Sequence, residues 1–533
     1  MTHSNPSHTQ NRLVTLLTYY FSIWTVIGAI FLIPLITTFF YPQERNLSVP
    51  FFVVGGVMIV AGWILRQWLM PEKWADVSVP DGMMLIVMTW LTAILVSTIP
   101  LMWIADLSFP QAVFEATSGW TTCGLTVIDV TEASQIILFF RSLMQYVGGV
   151  GFVLVTMLAF FTPAEASVLV ASGSDDHFNE STRKTITIVF AIYAGYTLLG
   201  ILAYILVGMG TFDAINHTMT ALSTGGFSTQ SGSIGDFNSF SIEAVTVVLM
   251  LVGAVNFSTA WVLLKGNIRY FFENAEIRVS MVVLPAVTLL LILSTTIFVQ
   301  DQFGTAAWLA VFESTSALTT TGFTITSYDN WRTGGVLLLI ILMFVGGGSG
   351  STAGGLKQSR VYALYLRLKY EINEIYLGKE DPELPNPIIP EPRVREGEDK
   401  HTVDEEVGSE VGAILFAFIG VFLTSVFLMT LLGYSLEEST FETASIIGTV
   451  GLSVGVTDPA MPLPMFYLMS AVMLLGRLEL FAVLIGLVRA ANYGFGGLSG
   501  NLRPDETPQQ EQQAATSSQR QQTDHEQEEQ ASP

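Results

Sequence analysis

One cysteine, six histidines and a charged fraction of 13% are all that 533 residues offer to polar chemistry. A lone thiol, Cys123, rules out an intrachain disulfide and says nothing about redox compartment. The histidines (His3, His8, His177, His217, His401 and His525) are scattered, and the sequence shows neither the His/Cys spacing of a metal site nor a clustered Ser/His/Asp set. An enzyme reading therefore has no residues to stand on. Soluble chains carry about a quarter charged residues, so a soluble globular class is excluded as well. Basic charge is scarcer still. Twenty-three Lys and Arg face 45 Asp and Glu, for a net charge of −22, and no basic patch suits nucleic acid. Acids inside apolar segments are almost missing. Glu479 is the exception, which argues against a proton- or sodium-coupled solute transporter built on paired broken helices with intramembrane acids.

Hydrophobic residues are what the chain has in abundance. They make up half of it, in blocks of about 20 or more, the length a helix needs to cross a bilayer. The first block, 13–41, is too long for a signal peptide and lacks a small-residue cleavage site. Spans are predicted at 14–40, 51–70, 82–104, 137–161, 185–208, 241–264, 279–299, 334–369, 410–433 and 463–490. Four semi-polar runs between them, 111–121, 213–223, 306–319 and 436–447, are too short to cross and read as helices that dip in and stop. The plan is two leading helices within 1–80, then repeats over 81–162, 163–266, 267–370 and 410–500. An acidic, proline-rich cytoplasmic loop fills 371–409, with five prolines between Pro382 and Pro392, and the Gln/Glu/Ser/Thr-rich tail 501–533 is expected to be disordered. With the N-terminus inside, cytoplasmic segments hold 19 of the 23 Lys and Arg, and the outside holds only Arg45, Arg141 and Arg332. That asymmetry follows the positive-inside tendency. It makes both termini cytoplasmic and brings all four dipping segments in from the outer face.

Each dipping segment ends on the same phrase: Thr, any residue, Gly, Leu or Phe, then Thr or Ser. The copies run Thr122–Cys123–Gly124–Leu125–Thr126, Thr224–Gly225–Gly226–Phe227–Ser228, Thr320–Thr321–Gly322–Phe323–Thr324 and Thr449–Val450–Gly451–Leu452–Ser453. Their glycines lie 102, 96 and 129 residues apart, an internal repeat of whole structural units. Four such loops around one axis can offer backbone carbonyls, with the hydroxyls of Thr122, Thr224, Thr320 and Thr449, to a dehydrated cation. The short helices end just before the glycines, so their negative dipole ends favour a cation there. Nine residues before each glycine stand Glu115, His217, Glu313 and Glu442. These read as a hydrogen-bonded support behind the filter, since acids at the start of a helix offset its dipole; a cation-attracting rim is the other reading. Glycines elsewhere in spans, such as Gly55, Gly200 and Gly433, read as helix packing. Gly225 beside Gly226 makes the second loop look looser than the others.

Two further features fall on the expected conduction path. Gly346–Gly347–Gly348–Ser349–Gly350–Ser351–Thr352–Ala353–Gly354–Gly355 puts six glycines into ten residues of an apolar span, and each glycine costs a helix about 1 kcal/mol against alanine. Non-helical backbone at membrane depth survives only inside protein or along a water-filled cavity, so this segment reads as a loop below the filter rather than a packing kink. Gly355–Leu356–Lys357–Gln358 does not complete a phosphate-binding pattern. Arg477 falls in the middle of 463–490, where a charge costs at least roughly 2.5–3.5 kcal/mol and must face a polar interior. Glu479, two residues on, points to another face and is a poor direct partner. Arg477 reads as an electrostatic brake on flux, with a structural salt bridge as the alternative.

The four phrases, the glycine break at 346–355 and Leu475–Gly476–Arg477–Leu478–Glu479 together resemble the Trk/Ktr/HKT superfamily of potassium transporters, most of all the TrkH-type pore subunit. The similarity covers roughly residues 10–500. It implies an all-α polytopic membrane protein with four helix–pore loop–helix repeats around one pore, preceded by two extra transmembrane helices. The leading pair favours the Trk branch over the Ktr branch. The resemblance also implies K+ as the transported ion, with no other cofactor in this chain. Glycine in all four filters goes with K+ selectivity in the superfamily, whereas plant relatives with serine in the first favour Na+. It makes 346–355 and Arg477 the gate. It implies a homodimer in lipid, in a prokaryotic inner membrane, regulated by a separate cytoplasmic nucleotide-binding (NAD or ATP) ring. Lys357, Arg360 and the loop 371–409 are the expected docking surface for that ring. Na+- or H+-coupled cation symport with weaker K+ selectivity is the alternative function.

Overall fold

Apolar blocks of this length bury their backbone polar groups most simply as helices, and helices are what the computed structural model shows. It describes residues 6–71, 74–75, 77–160, 175–298, 302–328, 331–377, 393–396, 399–402 and 405–495. Two leading helices, α1 (Pro6–Leu32) and α2 (Val49–Leu69), are joined by short turns through 33–48. Repeat 1 follows as α3 (Val79–Ile104), the short α4 (Phe109–Trp120) and α5 (Gln135–Phe160). Repeat 2 is α6 (Asp175–Leu206), the short α7 (Thr211–Leu222), α8 (Phe240–Ala254) and α9 (Phe257–Leu264). A connecting helix α10 (Ile268–Glu273) leads to repeat 3: α11 (Ala275–Phe298), the short α12 (Phe303–Leu318), α13 (Thr333–Val345) and α14 (Gln358–Leu377). Repeat 4 is α15 (Glu405–Leu431), the short α16 (Leu436–Ile447), α17 (Leu463–Leu478) and α18 (Leu480–Phe495). Residues up to Gly486 form one compact unit, and a second begins at Leu487.

Among the described residues, six segments are long and apolar enough to cross a membrane unbroken: 11–40, 42–69, 79–104, 186–206, 275–294 and 408–431. The fold is thus the all-α membrane architecture that the sequence predicts. Its one β element among the described residues is an antiparallel pair, β1 (Arg393–Glu396) and β2 (Asp399–Thr402), with Arg393 opposite Thr402. The proline-rich stretch 382–392, the 162/163 repeat boundary and the tail 501–533 lie outside the described residues.

Two predicted spans, 241–264 and 463–490, are not continuous. The first bends by 108° between α8 and α9. Val255 leaves the helix in an extended conformation, and the Asn256 side chain accepts from the Ser258 amide as the N-cap of α9. The second breaks at Glu479, whose φ of +64° interrupts α17 before α18 begins. A capping residue or a single charge inside an apolar run is a small signal, and hydropathy averages over it.

The leading helices lean on each other through glycine. A Cβ on Gly28 would lie 2.7 Å from the Gly55 carbonyl, so Gly55 does serve helix packing. They attach to repeat 1 through the rings of Phe31, Phe51 and Phe140, whose centroids lie 4.9–6.4 Å apart. Gly433 is a correction: it forms a turn at φ +100° with open space around it, not a helix contact. The short helices α4, α7, α12 and α16 are buried along most of their length. Capping boxes start two of them, Ser108 with Gln111 and Ser435 with Glu438.

Candidate functional site

The four short helices end in one cap geometry. The residue between Thr and Gly in each phrase, the middle residue of that Thr–x–Gly triplet, donates its amide five residues back: Cys123 to Ser118 (2.9 Å), Gly225 to Thr220 (2.8 Å), Thr321 to Ser316 (3.0 Å) and Val450 to Ser445 (2.8 Å). The preceding threonine amide donates three residues back, to Gly119, Ala221, Ala317 and Ile446. This is the Schellman pattern, whose left-handed position glycine usually takes. Here threonine takes it: φ is +56° at Thr122, +48° at Thr224, +55° at Thr320 and +50° at Thr449. Such a conformation costs a β-branched residue roughly 1–3 kcal/mol, and the chain adopts it four times in register. Strain repeated at one position points to a requirement at that position, and threonine brings a hydroxyl that glycine lacks.

The phrase glycines close a ring. A Cβ on Gly124 would stand 2.3 Å from the Gly225 carbonyl oxygen, and one on Gly226 would stand 2.1 Å from that of Thr321. One on Gly322 would lie 1.9 Å from the Val450 oxygen, and one on Gly451 would lie 2.0 Å from that of Cys123. Each loop therefore abuts the next, in the order 1, 2, 3, 4 and back to 1, through the carbonyl of its neighbour's middle residue. Any side chain at these glycines collides with backbone, and their φ values of +74° to +96° add a second penalty.

Behind the ring, the residues nine before each glycine hold the chain as it leaves the filter. Glu115 accepts from Thr126 Oγ1 (2.8 Å) and the Val127 amide (2.9 Å). Glu313 accepts from Thr324 Oγ1 (2.9 Å), the Ile325 amide (2.9 Å) and the Tyr328 hydroxyl (2.5 Å). Glu442 accepts from Ser453 Oγ and from the Val454 amide (3.1 Å). His217 bonds Ser228 Oγ at 2.9 Å in the same place. All four are fully buried, so they support the loops and form no rim. Asp129, in the loop beyond filter 1, accepts from the Thr131 hydroxyl and amide, which hold its carboxyl below the usual range and keep it charged.

Beneath the ring lies the segment from Gly346 to Gly355, non-helical throughout and joining α13 to α14. It closes on itself through the Gly347 amide to Gly354 (3.3 Å) and Ser351 Oγ to Gly348 (2.6 Å). Its other partners come from every side. The Gly348 amide donates to Ala254 (3.0 Å), and Gly350 accepts from Phe257 (3.3 Å), so the loop is stitched to the break in repeat 2. Asn256 donates to the Ser349 carbonyl, and Glu276 accepts the Ser349 amide. Thr352 Oγ1 donates toward the Leu222 (2.8 Å) and Gly253 (2.9 Å) carbonyls. The Gly354 amide donates to Thr320 Oγ1 at 2.7 Å, and a Cβ on Gly354 would lie 2.2 Å from the Gly448 carbonyl.

Arg477 completes the enclosure. It is fully buried and donates to the Thr352 carbonyl (2.6 Å) and to Gly148 and Gly149 (3.3 Å each). Loop and arginine together touch all four repeats beneath the ring. Glu479 pairs instead with Arg360, at 2.9–3.0 Å, in keeping with its predicted failure to reach Arg477.

Three expectations need correction. Lys357 and Arg360 are not free docking surface: Lys357 is buried with its ammonium on the Ala353 carbonyl, and Arg360 is held by Glu479. Arg141, counted among the outer charges, is buried in α5, bonded to Glu115 (2.7 Å) and stacked 3.9 Å over Phe227. The second filter loop is not loose. Gln145 donates to the Gly225 carbonyl (2.6 Å) and accepts the Phe227 amide (3.0 Å), and a Cβ on Gly225 would strike it at 2.4 Å. Sequence reasoning missed Gln145, yet a signal existed. Gln145, Met250, Met343 and Met473 each stand 21–24 residues after the glycine of their repeat's phrase and three residues before another glycine (Gly148, Gly253, Gly346 and Gly476).

Comparison with known proteins agrees with this architecture. A family model described as a cation transport protein, TrkH, matches residues 51–492. The potassium uptake protein TrkG of Escherichia coli is 30% identical over 473 residues, covering 85% of this chain and 93% of TrkG. An uncharacterized cation transporter of Methanocaldococcus jannaschii is 29% identical over 465 residues, with coverage of 86% and 92%. The crystal structure of the potassium transporter TrkH from Vibrio parahaemolyticus has the same fold, with a TM-score of 0.76 over 89% of this chain and 98% of that one, at 24% identity. The chain is a multi-pass membrane protein and belongs to the TrkH family of cation transport proteins.

Proposed function

We propose that this chain takes up K+ across a prokaryotic inner membrane through the ring formed by Thr122–Gly124, Thr224–Gly226, Thr320–Gly322 and Thr449–Gly451. The observation that carries the reading is the closed cycle of glycine–carbonyl contacts among the four repeats. An ion that sheds its water there meets the carbonyls of Cys123, Gly225, Thr321 and Val450 together, with the threonine hydroxyls at the inner edge. Uncharged ligands compensate dehydration without holding the ion too tightly for flux. The C-terminal ends of α4, α7, α12 and α16 add partial negative charge from behind. Names borne by relatives, potassium uptake proteins in Escherichia coli and Halomonas elongata, support K+ as the substrate. The inside-negative potential drives each charge inward with about 2.3 kcal/mol per 100 mV.

In this reading the segment 346–355 and Arg477 form the gate, and the bonds of Thr352 and Arg477 beneath the ring support it. A fixed cation 4–8 Å from a permeating ion opposes it by about 2–4 kcal/mol at an effective dielectric constant near 20. Opening withdraws Thr352 from Leu222 and Gly253 and carries Arg477 with it. Resemblance to the superfamily supports a homodimer with cytoplasmic termini, opened by a separate nucleotide-binding ring. Rubidium uptake into proteoliposomes tests the reading. K+ competes and Na+ does not, and Gly322→Ser erases the difference. Equal competition by Na+ and K+ in the unmodified protein refutes it.

A further inference from the structure

The four second helices of the repeats meet the ring at one register position. Met250 in α8, Met343 in α13 and Met473 in α17 occupy it, each fully buried, and repeat 1 has Gln145 there instead. Each of these side chains serves the loop of the following repeat. Met343 shares a packed cluster with Val450, Met473 with Cys123, and Met250 with Phe323 of the third phrase. Gln145 reaches Gly225 and Phe227 of the second phrase. Where the register position holds methionine, the middle residue of the following phrase has a side chain: Thr321, Val450 or Cys123. Where it holds glutamine, the middle residue, Gly225, has none. The space a side chain at 225 would need is filled by the Gln145 amide group, 2.4 Å from where a Cβ would stand.

The consequence is chemical as well as steric. The Gly225 carbonyl accepts a hydrogen bond from Gln145 Nε2 at 2.6 Å, a donor that the methionine at this position in the other three repeats cannot supply. An N–H donor on that oxygen orients it and draws electron density from it, so the ring presents one ligand weaker than the other three. Arg141, one turn earlier on α5, reinforces the same interface by stacking on Phe227 and approaching the Ser228 carbonyl at 3.4 Å.

We propose that Gln145 is a positioning residue that sets ion discrimination: it orients the Gly225 carbonyl of the ring, and Gln145 and Gly225 form a matched pair. The proposal rests on the K+ filter reading given above. Rubidium uptake into proteoliposomes, with K+ or Na+ as competitor, tests it through three variants. Gln145→Met removes the donor and leaves the Phe227 amide unpaired, so Na+ competes about tenfold better while total flux changes less. Gly225→Thr alone drives a side chain into Gln145 and loses uptake. The double variant Gln145→Met with Gly225→Thr gives the two positions the residue types that Met250 and Thr321 have in the next pair of repeats, and it regains both uptake and K+ preference. A merely structural clamp predicts otherwise: lower flux and lower melting temperature for Gln145→Met, with the K+/Na+ competition ratio unmoved. That result overturns the proposal, as does a double variant no better than Gly225→Thr. Absence of any K+ preference in the unmodified protein overturns the filter reading itself, whereas a selective parent with an equally selective Gln145→Met variant overturns only the role of Gln145.

Discussion

The four phrase loops, proposed as the filter, and the segment 346–355, proposed as the gate, are both glycine-bearing backbone caught between helices, yet they are held in different ways. Each phrase loop has a Schellman cap on its own short helix and a buried Glu or His of its own repeat eleven residues before the last hydroxyl of the phrase, and the second loop adds a clamp from Gln145 of repeat 1. The segment 346–355 takes many of its bonds from other repeats: Ala254, Asn256 and Phe257 in repeat 2 and Arg477 in repeat 4. Bonds within one repeat survive relative motion of the repeats, and bonds between repeats do not. The same motion can therefore leave each loop's own cap and buried support intact while it releases the segment beneath them.

Substitutions that break one side of this contrast leave the other standing. The largest effect belongs to the ring. Gly322→Ser places a Cβ 1.9 Å from the Val450 carbonyl, and K+ preference over Na+ in rubidium competition falls by about a hundredfold while the gate contacts remain. Next is Arg477→Ala, which removes the cation and three carbonyl bonds. Uptake without any partner rises about 30-fold, the factor that roughly 2 kcal/mol supplies, at unchanged selectivity. Thr352→Val, which deletes the bonds to Leu222 and Gly253, raises the same flux about fivefold. The smallest change in transport is expected from Glu313→Gln. Its bonds to Thr324, Ile325 and Tyr328 weaken, the melting temperature falls by a few degrees, and selectivity declines about threefold. Loss of gating in that variant would contradict the division between the two regions.

Much of this was legible in the sequence because it is written four times. The phrase ending each short helix gave the ring, and the register of Glu115, His217, Glu313 and Glu442 gave the support behind it. Features that occur once were harder to read. Asn256 and Glu479 break helices inside apolar runs, where averaging hides one polar residue. Gly225 looked like slack because the side chain that fills its space, Gln145, lies 80 residues away in the chain. Arg141 looked like an outer charge because its partner Glu115 and its platform Phe227 meet only when repeat 1 stands beside repeat 2. Partners across repeats depend on the order of the ring, and a linear reading does not contain that order.

The most direct test of the central claim is the reversal potential of the Arg477→Ala variant in a planar bilayer, with K+ on one side and Na+ on the other. A ring of four carbonyl-bearing loops predicts a reversal potential displaced from zero, in the direction of K+ preference, by about 59 mV for each tenfold of that preference, and collapse of that potential in the Gly322→Ser background. A potential at zero in the Arg477→Ala variant, with current flowing equally for both ions, contradicts it.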